Sequence, residues 1–191
     1  MAANLIQLQA GSKTFGMKKL FDAATVAINE EEHVGVIGPN GTGKTTLFKI
    51  CSGEETLDEG TLVRSNTLRL GYLVQEITWK ADETLEEFLS TCLTPPWDLK
   101  SLGNGLGLSE DMFHVPISSL SGGYQMRCRL LHLIGGEPNL MLLDEPTNYL
   151  DLETLLVLET FLQEYRGAFM LISHDREFLR RTTDHIVEIE S

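Results

Sequence analysis

Gly38-Pro39-Asn40-Gly41-Thr42-Gly43-Lys44-Thr45-Thr46 follows directly on His33-Val34-Gly35-Val36-Ile37. The earlier run is short and apolar, which predicts a buried strand. The run from Lys44 to Cys51 predicts the next helix. The loop between them fits the pattern G-x-x-x-x-G-K-[ST] at every required position. A loop at such a junction gathers free backbone N–H groups at one point, and the helix N-terminus adds positive field there. Gly41 and Gly43 let the backbone wrap an anion with no side chain in the way. The whole stretch Gly38 to Thr46 is therefore expected to hold the phosphate tail of a nucleotide. Lys44 should reach the terminal phosphates, Thr45 should place its hydroxyl on Mg²⁺, and Thr46 should support the phosphates. A glycine turn that merely looks like this pattern is the alternative, and the strand–loop–helix context argues against it.

A second constellation is Leu140-Met141-Leu142-Leu143-Asp144-Glu145-Pro146. Four apolar residues predict a buried strand, with two carboxylates at its C-terminal edge, where parallel sheets bind ligands. Asp144 is assigned to the metal and Glu145 to the general base that activates water. Ser173-His174-Asp175 ends the next apolar run, and the His174 imidazole could donate a hydrogen bond to a terminal phosphate there. Gln75 follows the candidate strand Leu70 to Val74 and could touch Mg²⁺ or the attacking water. Leu120-Ser121-Gly122-Gly123-Tyr124-Gln125 opens a helix with a serine and two glycines, a second anion-binding geometry. A domain that already holds its phosphates elsewhere can use Ser121, Gly122 and Gly123 across a dimer, against the nucleotide of a partner. A plain helix cap is the competing reading.

Strands are expected at Leu5 to Leu8, Leu20 to Ile28, Thr61 to Val63, Thr67 to Val74, Asn139 to Asp144, Ala168 to Ser173 and His185 to Ile189. The strands Thr61 to Val63 and Thr67 to Val74 read as neighbours joined by a turn at Ser65-Asn66, so the early strands suggest a mixed sheet beside a parallel core. Helices are expected at Glu83 to Cys92 (ended by Pro95-Pro96), Gly122 to Ile134, Leu152 to Tyr165 and from Arg176. Residues 98–116 are Gly- and Ser-rich and suggest a small helical lobe. Strand and helix alternation implies an α/β fold, with a parallel sheet and crossover helices.

The 191 residues carry a formal net charge of −13 and 42% hydrophobic content, enough for a core. That acidic balance counts against a general nucleic-acid grip, which needs a basic face. Cys51, Cys92 and Cys128 show neither paired nor metal-ligand spacing, so no metal cluster is expected. Reduced thiols and the absence of a signal-peptide pattern or a long apolar run suggest a cytoplasmic protein without membrane insertion.

Together these motifs resemble the nucleotide-binding domain of the ATP-binding cassette (ABC) superfamily over nearly the whole chain. Gly38 to Thr45 is similar to Walker A, Gln75 to the Q-loop, Leu120 to Gln125 to the signature motif and Leu140 to Glu145 to Walker B. Asn148 to Asp151 is similar to the D-loop, and His174 to the switch histidine. The resemblance implies a P-loop NTPase fold of ABC type across 1–191. It would have a parallel-core sheet, an antiparallel β subdomain, and a small helical lobe with the signature region over 75–135. It also implies ATP and Mg²⁺ as ligands and places Phe15 where an aromatic stacks on adenine; a core aromatic is the alternative. Asp144 to Asp151 and Ser173 to Leu179 resemble the soluble ABC-F proteins, which act on the ribosome and carry two cassettes in one chain. One cassette here implies pairing with an identical copy or with a second cassette. Departures are the short segment from Gln75 to Ser121, the absence of a following basic linker, and Tyr124 and Met126 in the signature. The competing functions are the ATPase subunit of a membrane transporter and a non-catalytic nucleotide switch.

Overall fold

The computed structural model describes residues 3–74, 79–148 and 150–190. Strands β1 (Asn4–Phe15) and β2 (Lys18–Asn29) form a long antiparallel hairpin. β3 (His33–Ile37) leads through the glycine loop into α1 (Lys44–Ser52). β4 (Glu59–Arg64) pairs antiparallel with the other side of β1. β5 (Leu70–Leu73), α2 (Leu85–Leu89), α3 (Pro96–Gly105) and α4 (Gly122–Gly135) follow, with two short 3₁₀ segments before α4. The chain then runs through β6 (Leu140–Asp144), α5 (Leu152–Glu164), β7 (Ala168–Ile172), α6 (Arg176–Thr182) and β8 (His185–Glu188).

Among the described residues the strands form two sheets, one ordered β2-β1-β4 and one ordered β5-β6-β7-β3-β8. Every pairing in the second sheet is parallel. β6 and β7 are buried at every position, as interior parallel strands covered on both faces must be. Their side chains alternate between two cores. Leu140, Leu142, Ala168, Met170 and Ile172 pack with Leu5, Ile6, Leu8 and Phe48 from β1 and α1. Met141, Leu143, Phe169 and Leu171 pack with residues of α4, α5 and α6 on the other face. A one-residue slip would exchange the two faces of either strand, so the register is fixed by both cores at once. Burial pushes the Cys51 and Cys128 thiols up to about 12. At neutral pH they behave as small apolar groups.

Two expectations are corrected. The first sheet is wholly antiparallel rather than mixed, and the strand after Ser65-Asn66 does not pair with β4. It crosses to the edge of the parallel sheet beside β6. Asn139 makes that crossing: its side chain accepts from the Arg69 backbone at 2.7 Å and donates to the Thr67 carbonyl at 2.9 Å. The Arg69 Nε donates to the Glu137 carbonyl at 2.7 Å, so residues 67–69 are taken up by the turn before β6 and only Leu70–Leu73 remain as strand. The opening strand also runs well past Leu8, to Phe15, through register shifts that include a left-handed Ala10 at φ 47°.

In the region between the sheets' motifs, Thr84 and Glu87 form a reciprocal cap that starts α2. Pro96 does more than stop a helix. It occupies the first turn of α3, where its missing N–H costs nothing.

Candidate nucleotide-binding site

The parallel register brings three loops to one sheet edge. Asp144 of β6 stands opposite Ile172 of β7, and Val36 of β3 stands opposite the same Ile172 on the other side. The glycine loop after β3, the two carboxylates ending β6, and Ser173-His174 after β7 therefore emerge side by side. This is the carboxyl edge at which open α/β sheets take ligands.

The glycine loop is shaped by close approach. Gly38 has φ 152°, and a side chain there would meet the Ile189 carbonyl at 2.6 Å. Gly43 caps α1 at φ 104°, and a Cβ would lie 3.0 Å from that of Leu20. No side chain caps α1 and no acidic residue lies in its first turn, so its leading N–H groups are left to an anion. Lys44 is 8% exposed and its Nζ donates to the carbonyls of Gly38 at 2.8 Å and Pro39 at 3.1 Å. The ammonium thus lies inside the curve of its own loop. Thr42 is tied back to Pro39 through its hydroxyl at 2.9 Å.

The β1–β2 hairpin end lies over this loop. A Cβ at Gly41 would sit 3.4 Å from the Lys18 Nζ, and Lys18 is the register partner of Phe15. Phe15 is 68% exposed, which removes the core-aromatic alternative and leaves an apolar ring facing solvent beside the loop.

Asp144 is 2% exposed, and the Thr45 side chain in the first turn of α1 lies close enough to favour its charged form. Burial raises its carboxyl above the ordinary aspartate range, against the Thr45 side chain and the charges of Lys44 and Lys49. Glu145 is buried at the next position, with its Oε1 3.1 Å from His174 Nε2. Burial raises this carboxyl too, His174 and Lys44 oppose the rise, and the neighbouring Asp144 charge adds to it. Asp144 Oδ1 and Glu145 Oε2 are buried without any hydrogen-bond partner. Orphaned carboxylate oxygens are costly. The Asp144 oxygen is a hard donor suited to a small divalent cation, and the Glu145 oxygen is left to accept from a water.

Ser121 N-caps α4 but makes no side-chain cap bond, unlike Thr84, Asp151 and Asp175, whose side chains all accept from their own helices. Ser121 and Gly122 are exposed, and a Cβ on Gly122 would meet nothing within 4 Å. Among the described residues no hydrogen bond joins this turn to the glycine loop. Gly123 is packed against α5, where a Cβ would meet Thr154 Oγ1 at 2.7 Å and Asp151 Oδ2 at 2.9 Å. Two predicted positions, Gln75 and Tyr149, lie outside the described residues.

Other contributors have no local sequence signal. Arg127 is 3% exposed and bonds the Leu106 carbonyl, Thr154 Oγ1 and Glu153 Oε1, while lying 5.0 Å over the Tyr124 ring. It clamps α4 to the start of α5 and to the end of α3. Trp79 Nε1 donates to Gln125 Oε1 at 2.7 Å, and Gln125 Nε2 donates to the Leu120 carbonyl at 2.9 Å. That chain of bonds holds the turn of Ser121. The partners of Arg127, at Leu106, Glu153 and Thr154, are distant in the chain, so nothing local marks the clamp.

The sequence profile of the ABC transporter family matches residues 21–148. Ribosome protection protein VmlR of Bacillus subtilis is 38% identical over 181 residues, covering 94% of this chain and 33% of that protein. Energy-dependent translational throttle protein EttA of Escherichia coli O6:H1 is 38% identical over 189 residues, covering 93% of this chain and 33% of that protein. A solved ATP binding subunit of an ABC transporter superposes with a TM-score of 0.86 at 21% identity, over 97% of this chain and 86% of that one, which shows the shared fold. The chain thus spans about one third of the length of the curated relatives it matches. No helix among the described residues is long and apolar enough to cross a membrane. The glycine loop, the paired carboxylates and the family profile converge: the chain belongs to the ABC transporter family of ATP-binding domains, and it closely matches members of the ABC-F subfamily.

Proposed function

We propose that this chain binds and hydrolyses ATP as one cassette of a pair, and that the resulting opening and closing serves a cytoplasmic, ribosome-linked function. The observation that carries the reading is the meeting of Lys44, Thr45, Asp144, Glu145 and His174 at one strand edge. In this reading the N–H groups of residues 38–46 cradle the phosphate tail and Lys44 leaves its loop carbonyls for the β- and γ-phosphates. Phe15 stacks on the base. Thr45 and Asp144, with Gln75, would hold Mg²⁺, which supplies charge neutralisation for the transferring phosphoryl group.

Glu145 takes a proton from the attacking water. Its raised carboxyl is a stronger base than an ordinary glutamate, which suits it to that step near neutral pH. The His174 imidazole, held 3.1 Å from Glu145, faces the same terminal phosphate and completes its hydrogen bonding. Ser121, Gly122 and Gly123 complete the site of the other cassette. Support for this is the exposure of Ser121 and Gly122 and the uncommitted Ser121 hydroxyl. Loss of the γ-phosphate removes the bridge between the cassettes and lets them part.

The ribosome link is favoured over transport because relatives at 38% identity are named for ribosome protection and translational throttling. The transporter subunit, at 21% identity, speaks for the fold alone. The test is sedimentation of the E145Q variant with ribosomes and, separately, with membrane vesicles, with and without Mg-ATP. ATP-dependent pelleting with ribosomes supports the reading. Pelleting with membranes alone overturns the ribosome link in favour of a transporter subunit.

A further inference from the structure

Glu145 is one of the few non-glycine residues with a left-handed backbone, at φ 49°. A side chain in that region is strained and persists only where its surroundings hold it. The backbone supplies part of that hold: Glu145 N–H donates to the Ile172 carbonyl at 3.0 Å, and Asn148 N–H donates to the Glu145 carbonyl at 3.2 Å. A second tie comes from side chains. Thr147 Oγ1 and Ser173 Oγ lie 3.2 Å apart and share a hydrogen bond. Ser173 is 4% exposed, and its oxygen also accepts from the Asp175 N–H at 3.1 Å. Asp175 in turn caps α6 by accepting from the N–H groups of Glu177 and Phe178, at 2.9 and 3.0 Å. α6 is anchored by Phe178 and Leu179 in the core. The turn carrying His174 is therefore bolted to the core, and the turn carrying Glu145 is tied to it by the Glu145–Ile172 backbone bond and by one pair of hydroxyls.

We infer that Thr147 and Ser173 are positioning residues for hydrolysis: their hydroxyl pair sets the spacing between the Glu145 turn and the His174 turn, so that carboxylate and imidazole address the same phosphate. Among the described residues this pair and the Glu145–His174 contact are the side-chain links between the two turns. Neither hydroxyl is needed to bind nucleotide, because the phosphate cradle lies on the neighbouring loop. The inference rests on the hydrolytic reading of Glu145 and His174.

The test is steady-state ATP turnover of Thr147→Val, Ser173→Ala, the double variant and Thr147→Ser. Losing one partly buried hydrogen bond that orients a reacting group is expected to lower kcat about tenfold. KM for ATP should stay within twofold, because ground-state binding is untouched. The double variant should be no slower than the slower single variant, since either change removes the same bond. Thr147→Ser keeps the hydroxyl and should retain kcat within about threefold even if Thr147→Val folds poorly. Multiplicative losses in the double variant would overturn the inference. So would a kcat unchanged by either single variant, or a Thr147→Ser variant as slow as Thr147→Val. E145Q run alongside separates the two levels: if it turns over like the wild type, the hydrolytic reading itself has failed.

Discussion

Replacing Arg127 by Met tests whether the Ser121 turn is clamped as the packing suggests. The guanidinium is 3% exposed and reaches three acceptors on two other elements. Its partner Glu153 is 78% exposed, so that ion pair contributes at most about 1 kcal/mol. The Leu106 carbonyl and the Thr154 hydroxyl would each lose a donor, at about 1 kcal/mol apiece. Stacking over Tyr124 adds about 1 kcal/mol. Relief from desolvating a buried cation, together with the apolar packing of Met, offsets roughly a third of this. The net loss is then about 2–3 kcal/mol, or a fall in Tm of roughly 4–12 °C for a chain of this size. Thermal and urea unfolding of Arg127→Met and Arg127→Lys measure it. Lysine keeps the charge but has one ammonium for several acceptors, so it should fall between the wild type and methionine. A loss under about 0.5 kcal/mol for methionine would show that Arg127 is not the clamp and that the α4–α5 contact stands on apolar packing alone.

Three further outcomes are expected. Gly43→Ala should lose about 1–2 kcal/mol of stability to its φ of 104°, and more to the contact with Leu20, while ATP affinity measured by equilibrium binding falls. For Glu145, a raised folded-state pKa means that its contribution to stability is intact below the ordinary value of 4.5 and is lost as pH rises through the folded value. E145Q should therefore melt higher than the wild type at pH 8, and the gap should close on acidification. The same shift places the acid limb of kcat/KM above pH 4.5. Ser121→Arg and Lys44→Ala, each inactive alone, should regain about a quarter of wild-type turnover when mixed as a homodimer, through one intact site per mixed pair; no recovery in a mixture shown to form mixed dimers would refute a site shared between copies.

How much was legible depends on the range of the interactions involved. The strand His33–Ile37 and the start of α1 at Lys44 were readable because polar residues, glycines and a fixed phosphate-loop spacing mark both ends locally. Asp144, Glu145 and His174 were readable as strand-end polar residues after apolar runs, and parallel pairing set them side by side. The place of β5 was not readable. Alternation shows that Leu70–Leu73 is a strand, but the choice of sheet is made by Asn139, 70 residues further on. The closeness of Thr45 to Asp144, the Arg127 clamp and the Thr147–Ser173 pair are likewise meetings of ordinary residues brought together only by the fold. Burial of Asp144 Oδ1 and Glu145 Oε2 without partners is also a property of packing, and it is what turns two acids in a motif into a candidate cation ligand and a candidate base.

ATP turnover by E145Q set against the wild type, with ATP affinity measured on the same samples, tests the central claim most directly. If Glu145 is the base, kcat should fall by at least about a hundredfold while ATP binding is retained. Turnover by E145Q at the wild-type rate would contradict the assignment of hydrolysis to this strand edge.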